Sequence, residues 1–333
     1  MIRPPKPRLP SESKPAPLPK RDAVTIVAGF KSYEGVVLCA DTQETVLHSK
    51  RHVPKLRFEP DSLSKAGKRF RGEEVSDLAA AFCGAGDGPF IDKLIDEAWK
   101  TAQKATSLQE AGERIETTIK GLYKEFGKIY QPGFCPHVDL IYGIKMDGDS
   151  KLFSAVGPVV NEKEEYYSAG QGYYMADFLA RRMHKSHLTI HQCVIVAAYT
   201  LYQAKEHVDG CGGASQIAVL RDVGPSGLLN FQVIDAITNN LEMADIDIGS
   251  LLLAATNTEL NDQNWKEACA YHIGMLETYR ANQIEDFNKF RESSHLLSRM
   301  LGIPPKDSDK LGLEDEDDEE IIPPEPSEPD PQS

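Results

Sequence analysis

The stretch Thr25–Thr45, TIVAGFKSYEGVVLCADTQET, decides the reading of the fold. Thr25 to Phe30 is β-branched and apolar, Ser32 to Gly35 is polar with glycine at the bend, and Val36 to Ala40 is apolar again. The pattern predicts two short strands joined by a four-residue loop. A hairpin brings the residue that opens its first strand near the one that closes its second. Thr25 and Asp41 are therefore predicted neighbours, and a hydroxyl beside a carboxylate is the start of a catalytic site.

Outward from the hairpin, a basic run leads to Lys55, and polar residues 58–75 predict a surface loop. Leu78 to Cys83 reads as a strand, turned by Gly84-Ala85-Gly86-Asp87-Gly88 into a helix over about 89–104. Ser107 and Glu110 form a capping box for a second helix, with Leu108, Ala111, Ile115, Ile119, Leu122 and Phe126 at helical spacing. Val138 to Ile144 and Lys151 to Val156 read as strands around Asp147-Gly148-Asp149, and Tyr166 to Ala169 as another. Gly170-Gln171-Gly172 breaks into a third helix over roughly 173–184. A second capping box, Thr189 and Gln192, opens a fourth helix to about His207, ended by Gly210-Cys211-Gly212-Gly213. Gln216 to Leu220 and Leu229 to Ile234 read as strands. Strands, two helices, strands, two helices, strands is an α+β order, with helix pairs packed on sheets.

The ends read differently from the body. Residues 1–22 carry seven prolines and six Lys or Arg, and residues 306–333 carry twelve acidic residues against two lysines. Neither has the apolar content to offset the entropy of ordering. The predicted division is a disordered Pro-rich basic arm or propeptide (1–24), a main domain (25–235), a helical extension (236–305) and a disordered acidic tail (306–333). In the extension, Leu260, Trp265, Cys269, Ile273, Leu276 and Tyr279 suggest one amphipathic helix and Phe287 to Met300 another. Of the net charge of −14, −10 lies in the last 28 residues. A body near neutrality offers no broad footprint for nucleic acid. No apolar run approaches the ~20 residues of a membrane span, and no apolar stretch follows the basic start as in a secretory signal. Six scattered cysteines without a CxxC pair fit reduced thiols in a cytoplasm.

The opening stretch also resembles the start of mature proteasome β-subunits and of the related bacterial two-ring peptidase. In that family a threonine begins a strand, a glycine follows four residues later, and a Gly-Val-Val-like turn leads to an Asp. Thr25, Gly29, Gly35-Val36-Val37 and Asp41 fall at those spacings. The Gly-x-Gly before the third helix and the glycine cluster after the fourth extend the resemblance over about residues 24–222. It implies a four-layer αββα sandwich of the N-terminal-nucleophile hydrolase type. It also implies a threonine-type endopeptidase in a ring-shaped homo-oligomer, fed by an ATP-dependent unfoldase and acting on peptides or unfolded proteins, with no cofactor.

The resemblance carries roles onto four residues. Thr25 would be the nucleophile, with its own α-amine as base once the chain is cut before it. An α-amine has a pKa of about 7.7–8.0, so a fair fraction is neutral near pH 7. Lys55, followed by Leu56 as in the family motif, would lie beside the threonine, and Asp41 would hold it charged. Gly84 would supply the backbone N–H for the oxyanion, with Gly86 as the alternative register.

Several positions depart from the family pattern. Val24 stands where a glycine usually precedes the threonine, and Gln171 stands between Gly170 and Gly172 in place of a serine. Cys211 replaces the serine of the glycine cluster, and Val208 occupies the aspartate position, with Asp209 one residue off. These changes leave open a second reading, a catalytically inactive structural subunit whose Thr25 is never freed. His184, His187 and His191 straddle a helix junction without supporting carboxylates, so a metal site is disfavoured, and Cys135-Pro136-His137 reads as a structural loop.

Overall fold

The computed structural model describes residues 25–46, 49–60, 77–129, 135–257 and 259–300. The predicted arm and tail, Val24, and most of the predicted 58–75 loop lie outside the described residues.

The opening stretch forms the expected hairpin, more tightly turned than its polar loop suggests. Strand β1 (Ile26–Ser32) pairs with β2 (Gly35–Asp41), and Ser32 faces Gly35, leaving only Tyr33 and Glu34 in the turn. Gly35 has a φ of +151°, and a Cβ there would lie 2.1 Å from the Leu220 carbonyl oxygen, so the close approach requires glycine. In place of an irregular basic run come β3 (Gln43–Val46) and β4 (Ser49–His52), which pair with each other, and β5 (Leu56–Glu59). Phe58 and Glu59 therefore belong to a strand rather than to the predicted loop.

Strand β6 (Ala79–Gly86) leads into α1 (Gly88–Ala102), whose N-cap Asp87 accepts from the Phe90 N–H. Helix α2 (Leu108–Ile129) starts near the predicted box, but the Glu110 carboxylate reaches the N–H and hydroxyl of Thr106 rather than Ser107. Strands β7 (Val138–Met146) and β8 (Asp149–Val156) turn through Asp147 and Gly148, both at positive φ. They are followed by β9 (Val159–Lys163) and β10 (Tyr166–Gly170), then α3 (Tyr173–Met183) and α4 (Ile190–His207). The Thr189–Gln192 capping box is present in full. Strand β11 (Ser215–Arg221) is followed by a two-residue β12 (Gly227–Leu228).

Leu229–Ile234 is not a strand. The Asn230 side chain accepts from the Gln232 N–H and caps α5 (Phe231–Thr256), whose Ile234, Ile237 and Leu241 recur at helical spacing. A side-chain cap outweighs a short alternating stretch. The two helices expected beyond it are one, α6 (Asp262–Met300), because no glycine or proline interrupts residues 280–286. The expected extension, 236–305, thus holds the rest of α5 and α6. The two helices are joined through Asp247, which accepts from Tyr279 Oη at 2.5 Å and lies 3.1 Å from His272 Nδ1. Asp245 ties α5 to α4, accepting from Tyr199 Oη at 2.8 Å and Gln203 Nε2 at 3.2 Å.

The fold is mixed α/β with antiparallel sheets. One sheet runs β10-β1-β2-β11-β12 and the other β5-β6-β7-β8-β9, with β3-β4 as a separate ribbon. Strand alternation sorts the side chains into three clusters. Val27, Leu38, Ala81, Ile141, Leu152 and Leu220 form a cluster shared by both large sheets. Phe82, Tyr142 and Phe153 pack with Leu94, Trp99 and Ile119 of α1 and α2. Ile26, Phe30 and Cys39 pack with Ala180, Val194, Leu201 and Ile234 of α3, α4 and α5. Among the described residues no helix is long and apolar enough to cross a membrane.

Leu38 is fully buried in the cluster the two sheets share. Leu38→Ala is expected to lower stability by about 2–5 kcal/mol in urea denaturation, because the β-strands around it cannot close the cavity.

Candidate functional site

Register places the first two site residues. Val27 faces Ala40, so Ile26 and Thr25 run alongside Asp41 at the end of the hairpin. Thr25 Oγ1 donates to Asp41 Oδ1 at 2.5 Å, and the Ile26 N–H reaches the same oxygen at 3.3 Å. The third residue arrives from the other sheet. Lys55 directly precedes β5, and its N–H donates at 2.9 Å to Gln216 Oε1, which also accepts from the Leu56 N–H at 3.3 Å. Held there, Lys55 Nζ donates to Asp41 Oδ1 at 2.7 Å, to Thr25 Oγ1 and to the Gln43 carbonyl. All three ammonium protons are engaged.

The glycine cluster after α4 completes the carboxylate's shell. The Gly212 N–H donates to Asp41 Oδ2 at 3.0 Å, while the Gly212 carbonyl accepts from the Gln43 N–H at 3.0 Å. Gln43 Nε2 in turn donates to the Gly210 carbonyl at 2.9 Å. On the opposite side, the Gly172 N–H donates to the Thr25 carbonyl at 3.1 Å. A Cβ on Gly170, at φ +85°, would sit 2.3 Å from that carbonyl oxygen, so the strand end closes on Thr25 only with glycine there.

The site is dry. Thr25 is 3 % exposed and Asp41 0 %, and the Lys55 side chain is 11 % exposed. Burial pushes the Lys55 pKa below that of a free lysine, against the opposing pull of the Asp41 carboxylate. Cys211, which lies beside Gly172, has its thiol pushed up to about 12, first by burial and then by the Asp41 charge. It remains a neutral thiol at physiological pH. The arrangement gives one hydroxyl held between a cation and an anion, with its proton directed at Asp41.

Gly84 stands differently from its sequence reading. β6 runs on to Gly86, so Gly84 lies inside the strand rather than opening the turn, three residues before the cap Asp87. Leu56 faces Cys83 in the β5–β6 register, which places Lys55 at the level of Gly84. Gly86 closes the strand at φ +128°, with the His137 carbonyl 2.0 Å from where a Cβ would be. Gln171 and Asp209 are exposed, and Val208 is buried in the cluster around α4. Nε2 of the buried His184 lies 2.8 Å from the Lys31 carbonyl, and Nε2 of His191 lies 3.1 Å from Arg221 Nη2. Among the described residues no group of three His, Cys, Asp or Glu side chains is placed to hold a metal ion.

Sequence reasoning missed Gln43 and Gln216. Gln216 carried a signal: it is the polar residue in the otherwise apolar run Gln216–Leu220. A groove of about 510 Å³ between α3 and α4, lined by Tyr174, Phe178, Leu179, Arg182, Tyr199 and Gln203 among others, shares no residue with the Thr25 cluster.

Comparison with solved structures gives the class of fold. The chain is similar to Anbu from Hyphomicrobium sp. strain MC1, at 12% identity and a TM-score of 0.53, covering 71% of this chain and 100% of that one. A Gly-1 mutant of the same protein gives 11% identity and a TM-score of 0.54, over 71% of this chain and 99% of that chain. Anbu from Yersinia bercovieri, described as an ancestral beta-subunit, gives 11% and 0.53, over 71% of this chain and 100% of that one. No protein-family model matches the chain, and no curated protein matches its sequence. These findings correct the sequence resemblance. The solved structures are Anbu proteins, a family distinct from the proteasome β-subunits that the motif spacing suggested. The relationship they support is proteasome-like, and at such identity it is one of fold.

Lys55→Met leaves a fully buried carboxylate without its cation, and is expected to cost about 3–5 kcal/mol in urea denaturation at neutral pH. Asp41→Asn added to it recovers part of the loss. The folded-state pKa of Lys55 lies below the unfolded value, so between the two the unfolded chain holds more protons and this group makes stability rise with pH. That alkaline rise is expected to shrink in Lys55→Met, read from denaturation midpoints over an ascending pH series.

Proposed function

We propose that this chain is a threonine-type endopeptidase that uses Thr25 as an N-terminal nucleophile. The observation that carries the reading is the Thr25 hydroxyl, bonded at once to the Asp41 carboxylate and the Lys55 ammonium in a buried site. A threonine hydroxyl needs a base. Hydrolysis of the Val24–Thr25 bond supplies one, the α-amine of Thr25 itself. The amine takes the hydroxyl proton as Oγ1 attacks the scissile carbonyl carbon. Lys55 stabilises the developing charge on Oγ1, and the Gly84 N–H stabilises the oxyanion. Collapse breaks the peptide C–N bond, the amine returns its proton to the leaving group, and an ester remains on Oγ1. Water activated by the same amine then releases the second product. None of these steps requires a cofactor.

The two sheets and two flanking helix pairs are read here as a four-layer αββα sandwich, which the Anbu likeness supports. By the same likeness we read the chain as a subunit of a homo-oligomeric ring. The motif resemblance and the scattered cysteines, not the likeness, are the grounds for reading it as cytoplasmic and as accepting peptides or unfolded proteins from an ATP-dependent unfoldase. A second reading, an inactive structural subunit, is favoured by the burial of Thr25 and by Val24, whose β-branch stiffens the position where a glycine would ease self-cleavage.

Intact mass and N-terminal sequencing of assembled protein are expected to give a chain beginning at Thr25. Thr25→Ala is expected to keep assembly, by native mass, and to lower peptide hydrolysis at least about 10³-fold. A wild-type chain that retains residues 1–24 after prolonged incubation would move the assignment to the structural reading.

A further inference from the structure

Helix α4 carries a second lysine toward the same carboxylate. Lys55 approaches Asp41 from the second sheet, whereas Lys205 descends from the last turns of α4 and donates from Nζ to Ser215 Oγ at 2.6 Å. Ser215 is the cross-strand partner of Asp41 in the β2–β11 register. The two side chains occupy one row. Val37 and Cys39 on β2, and Ile217 and Val219 on β11, belong to the cluster beneath α4, and strand alternation puts Asp41 and Ser215 on that same face. Lys205 is thus one hydrogen bond and one strand spacing from the site carboxylate. Among the described residues no carboxylate lies within ion-pair distance of its ammonium. Burial pushes its pKa down, and the charges pulling it back are Asp41 first and then Asp235.

We propose that Lys205 is a positioning residue for the Thr25 site, presenting through Ser215 a second positive charge to Asp41. Asp41 then sits between two lysines, one bonded directly and one held a strand away. The charge balance at Thr25 depends on both. Four titratable groups are coupled to Asp41: Lys55, Lys205 and the neutral thiols of Cys39 and Cys211. Glu44 and Cys211 act with Asp41 on Lys55, and Asp235 acts with Asp41 on Lys205. A like charge disfavours the protonated form of an amine, so removing Lys205 raises the pKa of Lys55. The catalytic consequence rests on the peptidase reading: in a chain beginning at Thr25, the α-amine becomes easier to protonate as well.

The test is an NMR titration of full-length protein labelled at lysine 13Cε, with Lys55 assigned by its absence in Lys55→Arg. In Lys205→Met the Lys55 midpoint is expected to rise by a few tenths of a pH unit, roughly 0.3, and in Lys205→Arg, which keeps the charge, to stay in place. Lys205→Gln gives the same expectation from a side chain that keeps a hydrogen bond to Ser215, should the methionine variant fold poorly. An unmoved Lys55 midpoint in a folded neutral variant overturns the proposal and leaves Lys205 a partner of Ser215 alone. Peptide hydrolysis separates this from the peptidase reading. A Lys55 midpoint shifted in Lys205→Met, with no hydrolysis by the wild-type chain, supports the charge coupling while the peptidase reading fails. Robust hydrolysis whose acid limb is unmoved by Lys205→Gln overturns the positioning role while the peptidase reading stands. The expected result is an acid limb moved to higher pH in Lys205→Gln and unchanged in Lys205→Arg.

Discussion

The buried pair between Lys55 and Asp41 is the constraint to which the rest of the structure answers. Removing two opposite charges from water costs more than their attraction returns unless every remaining lone pair and proton finds a partner. Here they do. Asp41 accepts from Thr25, Ile26, Lys55 and Gly212, and Lys55 spends its protons on Thr25, Asp41 and Gln43. Those partners come from the hairpin β1–β2, the start of β5, the ribbon β3–β4 and the glycine loop after α4. Each element therefore has one tolerated position. A shift of β5 by one residue withdraws the lysine, and a side chain on the Gly212 loop displaces Gln43.

That geometry explains what could be read in advance. The proximity of Thr25 and Asp41 follows from the hairpin alone, because antiparallel pairing makes neighbours of its two open ends. Lys55 was a different matter. Nothing in the chain distinguishes it from Lys50 or Arg51, and only a motif spacing borrowed from another family singled it out. The structure brings the lysine that the spacing singled out to the Asp41 carboxylate, while the likeness to solved structures at 11–12% identity is one of fold. The family name did not travel with it.

What was not legible depends on tertiary partners. Strands β3 and β4 are rich in charge and lack alternation, and they pair with each other rather than with a large sheet. Helix α5 hides behind the alternating stretch Leu229–Ile234, which a strand reading takes up until the Asn230 cap is seen. Gln216 and Lys205 act through contacts 161 and 10 residues away. A polar residue in an apolar strand signals a buried partner but does not say which. The cysteine at 211 reads as a loss against a serine, yet its raised pKa makes it a small neutral filler beside Gly172 rather than a competing nucleophile.

Among the described residues, Thr25 is held by groups that follow it in the chain. Its carbonyl is held by Gly172, its neighbour's N–H by Asp41, and its hydroxyl by Asp41 and Lys55, all of them residues that follow it in the chain. These bonds are all present in the uncut chain, so a cut at the amino side of Thr25 would create a new terminus without having to create these contacts.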